Sequence, residues 1–304
     1  MVATDHRSVD GTTEILERYE REGVLHLIRE QGEDFDSQAL RTRMARLAAD
    51  EFAADWVIGT DCDEFWWPRG SSLKEVLSAV RPQLGVVEAP WRFFLPLSDG
   101  PPFFAERMTT RLSPSADLAH PHSQFKPSVK VAHRADSKVV VQGGSHRLLS
   151  GGLVRLAGWH PIEVLHFPIR SVVQLERKME HWASAGRAWR FDQTGIADAA
   201  AWFATLAMGE ELVDAGVESG ALTDDTRLRD ALRAIRSTAA ADHPRPGDER
   251  QFLLPAEGVA LEFPRPPIED ERAYRSELVA LSQRSLHRLQ RRLDDLGARV
   301  AARE

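Results

Sequence analysis

Three carboxylates crowd one short stretch, Trp56-Val57-Ile58-Gly59-Thr60-Asp61-Cys62-Asp63-Glu64-Phe65. The apolar run from Trp56 to Ile58 has the length and β-branched content of a buried strand. Residues two apart on a strand point the same way, so Asp61 and Asp63 are expected to project together, with Cys62 turned away. Two carboxylates side by side repel. A cation that prefers hard oxygen ligands, Mg²⁺ or Mn²⁺, would neutralise them. Acidic residues just beyond the carboxyl end of a strand also sit where open α/β sheets bind ligands. The alternative is a solvated acidic turn, because Asp-x-Asp patterns are common by chance.

A chain of 304 residues can bury a real core around such a site. A hydrophobic content of 42% with 28% charged residues is that of a soluble globular protein. The net charge of −7 argues against nucleic-acid binding, which usually needs a basic face. The single cysteine, Cys62, excludes an internal disulfide framework and fits a reducing compartment. No apolar run is long enough for a transmembrane helix, and the polar start does not read as a signal peptide. The expected location is therefore cytoplasmic.

The elements that must position the carboxylates alternate. A short apolar start leads into Asp5-His6-Arg7-Ser8-Val9-Asp10-Gly11-Thr12, a strand end followed by a polar turn. A helix is expected over 13–21, a strand over 24–28, a helix over 37–52, and then the strand carrying the acidic stretch. Strand and helix in alternation predict a parallel sheet with crossover helices. A helix over 71–80 and a strand over 86–89 continue the pattern, followed by the aromatic run Trp91-Arg92-Phe93-Phe94. Residues 95–127 read as a long loop, which in a compact domain is usually functional or disordered. Residues 128–132 and 138–142 are strand-like and suggest a hairpin, with Gly143-Gly144-Ser145-His146 after them. A last strand is expected over 162–167. Helices are expected over 171–187, 197–208 and 224–239, then an extended connector over 242–267. The final helix, 271–302, carries Leu286, Leu289, Leu293, Leu296 and Val300 at spacings that suit a packing seam or a short coiled coil. Self-association through this helix is one expectation; docking on its own domain is the other.

Two segments taken together resemble the nucleotide-sugar-binding half of glycosyltransferase family two. They are Asp5-x-x-Ser8-x-Asp10-Gly11-Thr12 after a strand and Asp61-x-Asp63-Glu64-Phe65 after an apolar strand. The likeness is to the bacterial subgroup whose second motif reads Asp-x-Asp-Glu-Phe. His166-Phe-Pro-Ile-Arg170-Ser171, leading into a helix that carries Lys178, matches that subgroup's His, Ser and Lys. The resemblance spans about residues 2–178. It implies a GT-A fold, a mostly parallel α/β sheet flanked by helices over 1–170, with a helical region over 171–304. It also implies a strand and helix ahead of the first motif, with an Asn-Glu or similar pair near the nucleotide; this chain opens almost on the second strand of that pattern.

The resemblance further implies roles. Asp5 would accept a hydrogen bond from the nucleotide base, and Ser8 and Asp10 would lie near the base or ribose; turn chemistry is the other reason for acidic residues there. Asp61 would contact the ribose, or the metal through water. Asp63 would be the direct ligand of a Mn²⁺ or Mg²⁺ bridging the diphosphate of a nucleotide-sugar donor. His166 would be a third metal or phosphate contact, or else a core histidine. Arg170 and Lys178 would neutralise the diphosphate, although a lysine on a helix is commonly just solvated. Trp66, Trp67, Trp91 and Phe93 are candidates for an acceptor wall or for core. A base is needed to deprotonate an acceptor hydroxyl in an inverting transfer. Glu106 is the first candidate; Asp99, Asp117 and His146 lie in the same stretch.

The expected activity is therefore transfer of a sugar from a nucleotide-diphosphate donor to an acceptor hydroxyl. One alternative is a non-catalytic relative that serves as a binding or interaction protein. Another is a metal-dependent phosphohydrolase, since Asp-x-Asp also opens haloacid-dehalogenase-type sites. Those sites require a Thr or Val where this chain runs Glu64-Phe65-Trp66.

Overall fold

The computed structural model describes residues 1–32, 35–69, 72–100, 103–113, 128–157, 160–184, 199–207 and 210–242. Asp117, the connector expected over 242–267 and the final helix over 271–302 lie outside the described residues, as does part of the 171–187 helix.

The chain opens β1 (Val2–His6), α1 (Thr12–Arg21), β2 (His26–Glu30), α2 (Ser37–Asp50), β3 (Trp56–Ile58) and β4 (Glu64–Pro68). It continues with α3 (Leu73–Ser78), β5 (Val86–Phe93), α4 (Phe104–Arg107), β6 (Thr110–Leu112), β7 (Val129–Arg134), β8 (Val140–Val141) and β9 (Leu148–Ser150). The remainder is β10 (Ile162–His166), α5 (Val172–Ser184), α6 (Ala199–Leu206), α7 (Glu210–Glu218), β11 (Leu222–Asp224) and α8 (Arg227–Asp242). Local chemistry accounts for the helix starts. The Asp36 carboxylate accepts from the Gln38 and Ala39 amides at the head of α2, and Ser72 caps α3 through the Glu75 amide. Gly11, at φ 88°, supplies the left-handed turn into α1, with Glu14 in the first turn and Arg18 and Arg21 in the last.

The fold is mixed α/β, and its sheet differs from the mostly parallel one expected. The main sheet has the order β3-β7-β5-β10-β4. Strands β5 and β10 are parallel and β3 shares their direction, whereas β7 and β4 run the other way. Strands β1 and β2 form a separate parallel pair. Alternating strand and helix sets connection lengths; it does not say which edges meet. The expected hairpin over 128–142 is also replaced. Strand β7 lies between β3 and β5, and β8 pairs with β9. The turn between β7 and β8, in which the Asp136 carboxylate accepts from the Lys138 amide at 2.7 Å, sends the chain out of the main sheet.

The aromatic runs become strands. Trp91 to Phe93 extend β5, and Glu64 to Pro68 form β4. The stretch expected as a loop over 95–127 contains α4 and β6, and β6 pairs antiparallel with β11.

Alternation divides the sheet into two faces. One carries Trp56, Ile58, Trp66, Val87, Ala89, Ala132 and Val164, packed with Leu77 and Val80. The other carries Phe65, Trp67 and Leu165, packed with Phe94, Ala105, Met108, Phe167 and Leu228. This second face also buries charge. Glu163, on β10, accepts from Arg92 of the neighbouring β5 and from Arg69 just beyond β4. Arg227 at the start of α8 reaches the same carboxylate at 2.8 Å and grips Asp225 with two nitrogens, at 2.7 and 2.8 Å. Burial alone would raise the Glu163 pKa, but Arg92, Arg227 and Arg69 outweigh it and hold the carboxyl well below the usual range. Among the described residues, no helix is long and apolar enough to cross a membrane.

Because the folded-state pKa of Glu163 is depressed, its contribution is full above its unfolded value, about 4.3, and is lost as pH falls through the folded value. Glu163→Gln should lower stability by about 3–5 kcal/mol near neutral pH, as expected when one partner of a buried ion cluster is removed. Urea denaturation should show the gap between variant and parent narrowing steadily below about pH 4.

Candidate functional site

The sheet register assembles the site. On the first face, His166 of β10 stands opposite Glu64 of β4 and Phe93 of β5. Residues directly opposite on neighbouring strands share a face, so Glu64, His166 and Phe93 form a row across three strands. Trp91, two residues before Phe93, lies on that face too, and its ring stacks on His166 with centroids 4.3 Å apart. Phe93 tilts against the same imidazole at 4.9 Å. On β7, Lys130 faces the same way as its partner Ala89. The row sits at the carboxyl ends of β5 and β10, beside the loop that leaves the carboxyl end of β3. Ligands bind at such ends in open α/β sheets.

The acidic stretch does not continue β3 as a strand. Residues 59–63 form the loop between β3 and β4, closed by the Glu64 amide donating to the Asp61 carbonyl at 3.1 Å. Asp61 and Asp63 therefore do not project as a strand pair with a shared counter-ion; each carboxylate has its own set of cations. Asp61 accepts from Arg41 of α2, and from the Lys130 ammonium at 2.9 Å. Asp63 lies 3.6 Å from His166 Nε2 and 3.6 Å from Lys178 Nζ. Cys62 between them is exposed, and the strand alternation expected to turn it away does not exist in this loop.

Glu64 is the more deeply placed acid. Its Oε1 takes the Lys130 ammonium at 2.9 Å and the Trp91 indole N–H at 3.1 Å, and its Oε2 takes the Asp61 amide at 3.1 Å. Both the Glu64 and the Lys130 side chains are fully buried. A buried ammonium persists only where paired and hydrogen-bonded, and Asp61 and Glu64 together meet that need.

The carboxylates titrate differently as a result. Burial works to raise the Asp61 pKa, but Lys130 and Arg41 overcome it and lower it. Burial opposes ionisation of Asp63 too, yet His166, Lys178 and Arg170 hold it far below the normal range. At Glu64 burial prevails, reinforced by the charge of Asp61, and the pKa is raised despite Lys130. Burial lowers the Lys178 pKa, with Asp63 opposing.

Among the described residues, one group has metal-ligand character. Asp63, Glu64 and His166 offer ligand atoms all within 4.8 Å of one another. The expected set is Asp61, Asp63 and His166; the group that lies close together has Glu64 in place of Asp61, and Lys130 is shared by both of those acids. Two carboxylates and an imidazole are a donor set for a divalent cation: the carboxylates suit Mg²⁺ or Mn²⁺, and the imidazole suits softer transition metals. Among the described residues His166 Nδ1 is buried without a hydrogen-bond partner, while Nε2 is turned towards Asp63, so Nδ1 is the ring nitrogen left open to an ion. The residues present fit a divalent cation.

The other expected site residues divide. Lys178 on α5 reaches Asp63 and also donates to the Pro168 carbonyl at 2.9 Å, so it is not a merely solvated helix charge. Arg170 lies close enough to depress the Asp63 pKa, its guanidinium over the Phe104 ring at 5.4 Å. Asp5, Ser8 and Asp10 lie on β1 and its following turn and bond locally. Asp5 accepts from the Thr13 hydroxyl at 2.6 Å and the Ser8 amide at 3.3 Å, and Asp10 from the Thr12 hydroxyl at 2.7 Å.

Trp66 and Trp67 cannot form one wall, because consecutive strand residues face opposite ways. Trp66 packs on the first-face core beside its strand partner Val164, whereas Trp67 lies in the second core beneath Arg227, 5.7 Å from its ring centroid. Trp91 and Phe93 remain at the site. Glu106 does not join it. Its helix α4 packs through Ala105 into the second core, and its carboxylate is held by Arg233 of α8 at 2.7 Å. The Asp99 carboxylate caps α5 through the Val172 amide. His146 alone of the described base candidates meets the cluster, edge-on to Trp91 at 4.8 Å.

Two residues at the centre were not anticipated. A lysine among the alternating apolar residues of Ser128-Val129-Lys130-Val131-Ala132 was a readable signal, since it falls on the buried face with Ala132. Arg41, in an ordinary amphipathic helix, carried none. No family model, curated protein or solved structure matches the chain.

Lys130→Met should lower stability by about 3–5 kcal/mol by leaving Glu64 buried and unpaired. Adding Glu64→Gln should recover part of that loss, with a coupling energy of about 0.5–3 kcal/mol in a double-mutant cycle of urea denaturation curves.

Proposed function

We propose that the protein is a metal-dependent glycosyltransferase that takes a nucleotide-diphosphate sugar and transfers the sugar to an acceptor hydroxyl. The observation that carries this reading is the convergence of Asp63, Glu64 and His166 within 4.8 Å, with Lys178 and Arg170 beside Asp63. Carboxylates flanked by cations match a ligand that is itself a metal–pyrophosphate: the acids face the cation, and the bases face the phosphate oxygens. Asp63, Glu64 and His166 would hold Mn²⁺ or Mg²⁺. Bound there, the ion supplies Lewis acidity that stabilises charge building on the departing nucleoside diphosphate. Arg170 and Lys178 neutralise the phosphates and orient the leaving group. Trp91, half-buried beside the cluster, offers an aromatic ring against which a sugar can lie, with the buried Phe93 packed behind it. The motif resemblance in the first 178 residues points the same way, and the GT-A expectation remains part of this proposal.

A second reading rests on a different observation. Arg41 and Lys130 already neutralise Asp61, and His166 and Lys178 already flank Asp63. A site balanced by its own side chains suits a non-catalytic module that binds a nucleotide without metal. The two readings differ in cation dependence. Differential scanning fluorimetry with UDP, GDP and dTDP should show a rise in Tm of roughly 5 °C at a hundredfold excess over Kd, for one of them and only with Mn²⁺ or Mg²⁺. Asp63→Ala should abolish that rise while leaving the unliganded Tm within about 3 °C, since Asp63 is a loop residue. A shift that is independent of metal favours the binding module; no shift with any nucleotide sinks both.

A further inference from the structure

The turn after β8, Gly143-Gly144-Ser145-His146, is built into the carboxylate site. Ser145 is buried and takes a left-handed conformation at φ 55°, which residues other than glycine rarely adopt outside functional or tightly constrained places. Three bonds hold it there. Its amide donates to the Gln142 carbonyl at 2.8 Å, its carbonyl accepts from the Val131 amide at 3.0 Å, and its hydroxyl accepts from Arg41 at 3.1 Å. Arg41 is the same side chain that grips Asp61. On the other side, Gly59 opens the acidic loop so close to Ser145 that a Cβ there would lie 2.3 Å from the hydroxyl oxygen. The turn and the acidic loop are thus packed backbone to side chain, and the strained Ser145 fixes the placement of the next residue, His146.

His146 is held in one tautomer. Its Nδ1 lies 2.9 Å from the Val129 carbonyl oxygen. A carbonyl only accepts, so Nδ1 carries the proton, and in the neutral ring Nε2 keeps its lone pair. Nε2 takes no hydrogen bond among the described residues. The ring stands edge-on to Trp91, whose indole also stacks on the imidazole of His166. His146 therefore borders the half-buried Trp91 proposed for the sugar, in the same corner as the acidic loop. The charges that bear on it are Lys130, Asp61 and Arg41; burial first, then Lys130 and Arg41, favour the neutral ring. Gly144, at φ 84°, faces Nε2 directly, and a Cβ there would come within 2.9 Å of it.

We infer that His146 is the catalytic base, its Nε2 taking the proton of the acceptor hydroxyl. This rests on the transferase reading above. The acceptor oxygen forms its bond to the anomeric carbon as the bond from that carbon to the diphosphate oxygen breaks. The electron pair leaves with the nucleoside diphosphate. The hydroxyl proton passes to Nε2, and the imidazolium returns it to solvent. Ser145, Arg41 and Gly144 are positioning residues for this step: the first two hold the turn, and Gly144 leaves room for the imidazole to pack against it.

The test measures release of nucleoside diphosphate from a panel of UDP-, GDP- and dTDP-hexoses with Mn²⁺, using water and glycerol as acceptors. The Mn²⁺-dependent thermal shift with the matching nucleoside diphosphate is measured alongside. His146→Gln should cut turnover by about 10²–10⁴-fold, the usual contribution of a general base, and leave the nucleotide shift unchanged. Gly144→Ala, whose methyl would clash with the ring and push the imidazole out of place, should cut turnover at least about tenfold with the shift retained. Turnover by His146→Gln within about threefold of the parent overturns the base assignment alone, and so does loss of the shift together with turnover, which marks a binding or structural role. Failure of the parent to release product from any donor overturns the transferase reading itself, and the base with it.

Discussion

A single ammonium group organises the site. Lys130 Nζ is buried at the start of β7 with Asp61 and Glu64 each 2.9 Å away. Such a charge is stable inside a protein only with partners in fixed positions, so the residues around it are constrained in turn. Asp61 must stay on the loop between β3 and β4, and Glu64 must open β4 facing inward. The Trp91 indole must point its N–H at the same carboxylate. Ordering these groups also orders Asp63, two residues from Asp61 and one from Glu64. The ammonium is thus the internal counter-ion for Asp61 and Glu64, and in the proposed reading Glu64 is shared between it and the ion that Asp63 and His166 would hold.

The sheet serves two separate electrostatic systems, one on each face, because side chains alternate along every strand. Glu64, His166, Phe93 and Trp91 belong to the first. Glu163 and Arg92, one residue out of phase, belong to the second, where Arg69, Arg92 and Arg227 converge on one carboxylate. The second system ties β4, β5 and β10 to the start of α8, and Arg111 on β6 joins it through Asp225. Its work is architectural: it holds together the three strands whose ends carry the site. A one-residue slip in any of them would exchange the two systems, which makes the register itself a determinant of chemistry.

Tight backbone contacts recur where the loops meet. Gly59 fits against Ser145, and Gly144 fits against His146, each at a distance that admits no side chain. Combined with the left-handed Ser145, they join the acidic loop and the Gly-Gly-Ser-His turn into one rigid corner. Pre-organisation of this kind is what a reacting centre needs, since a displacement of about 1 Å at such a site is costly to rate.

Local elements and the acidic stretch were legible from residue order alone. Apolar periodicity marked α1, α2 and β3, and Asp61, Asp63 and Glu64 stood out as three carboxylates at the end of an apolar strand, although a solvated acidic turn would read the same way. His166, Lys178 and Arg170 were legible as companions of those acids only through a motif resemblance. The remainder depended on the folded arrangement. Which strands pair, and in which direction, depends on edges meeting across long stretches of chain, as β7 meets β3 and β5. That pairing brought Lys130, 69 positions from Asp61, to the carboxylates, and the fold brought Arg41 and His146 beside them. It also sent Trp67 and Glu106 to the opposite core, where they pack and pair. A residue's type states what chemistry it can do; its charge partners, and so its role, are set by distances that local sequence does not encode.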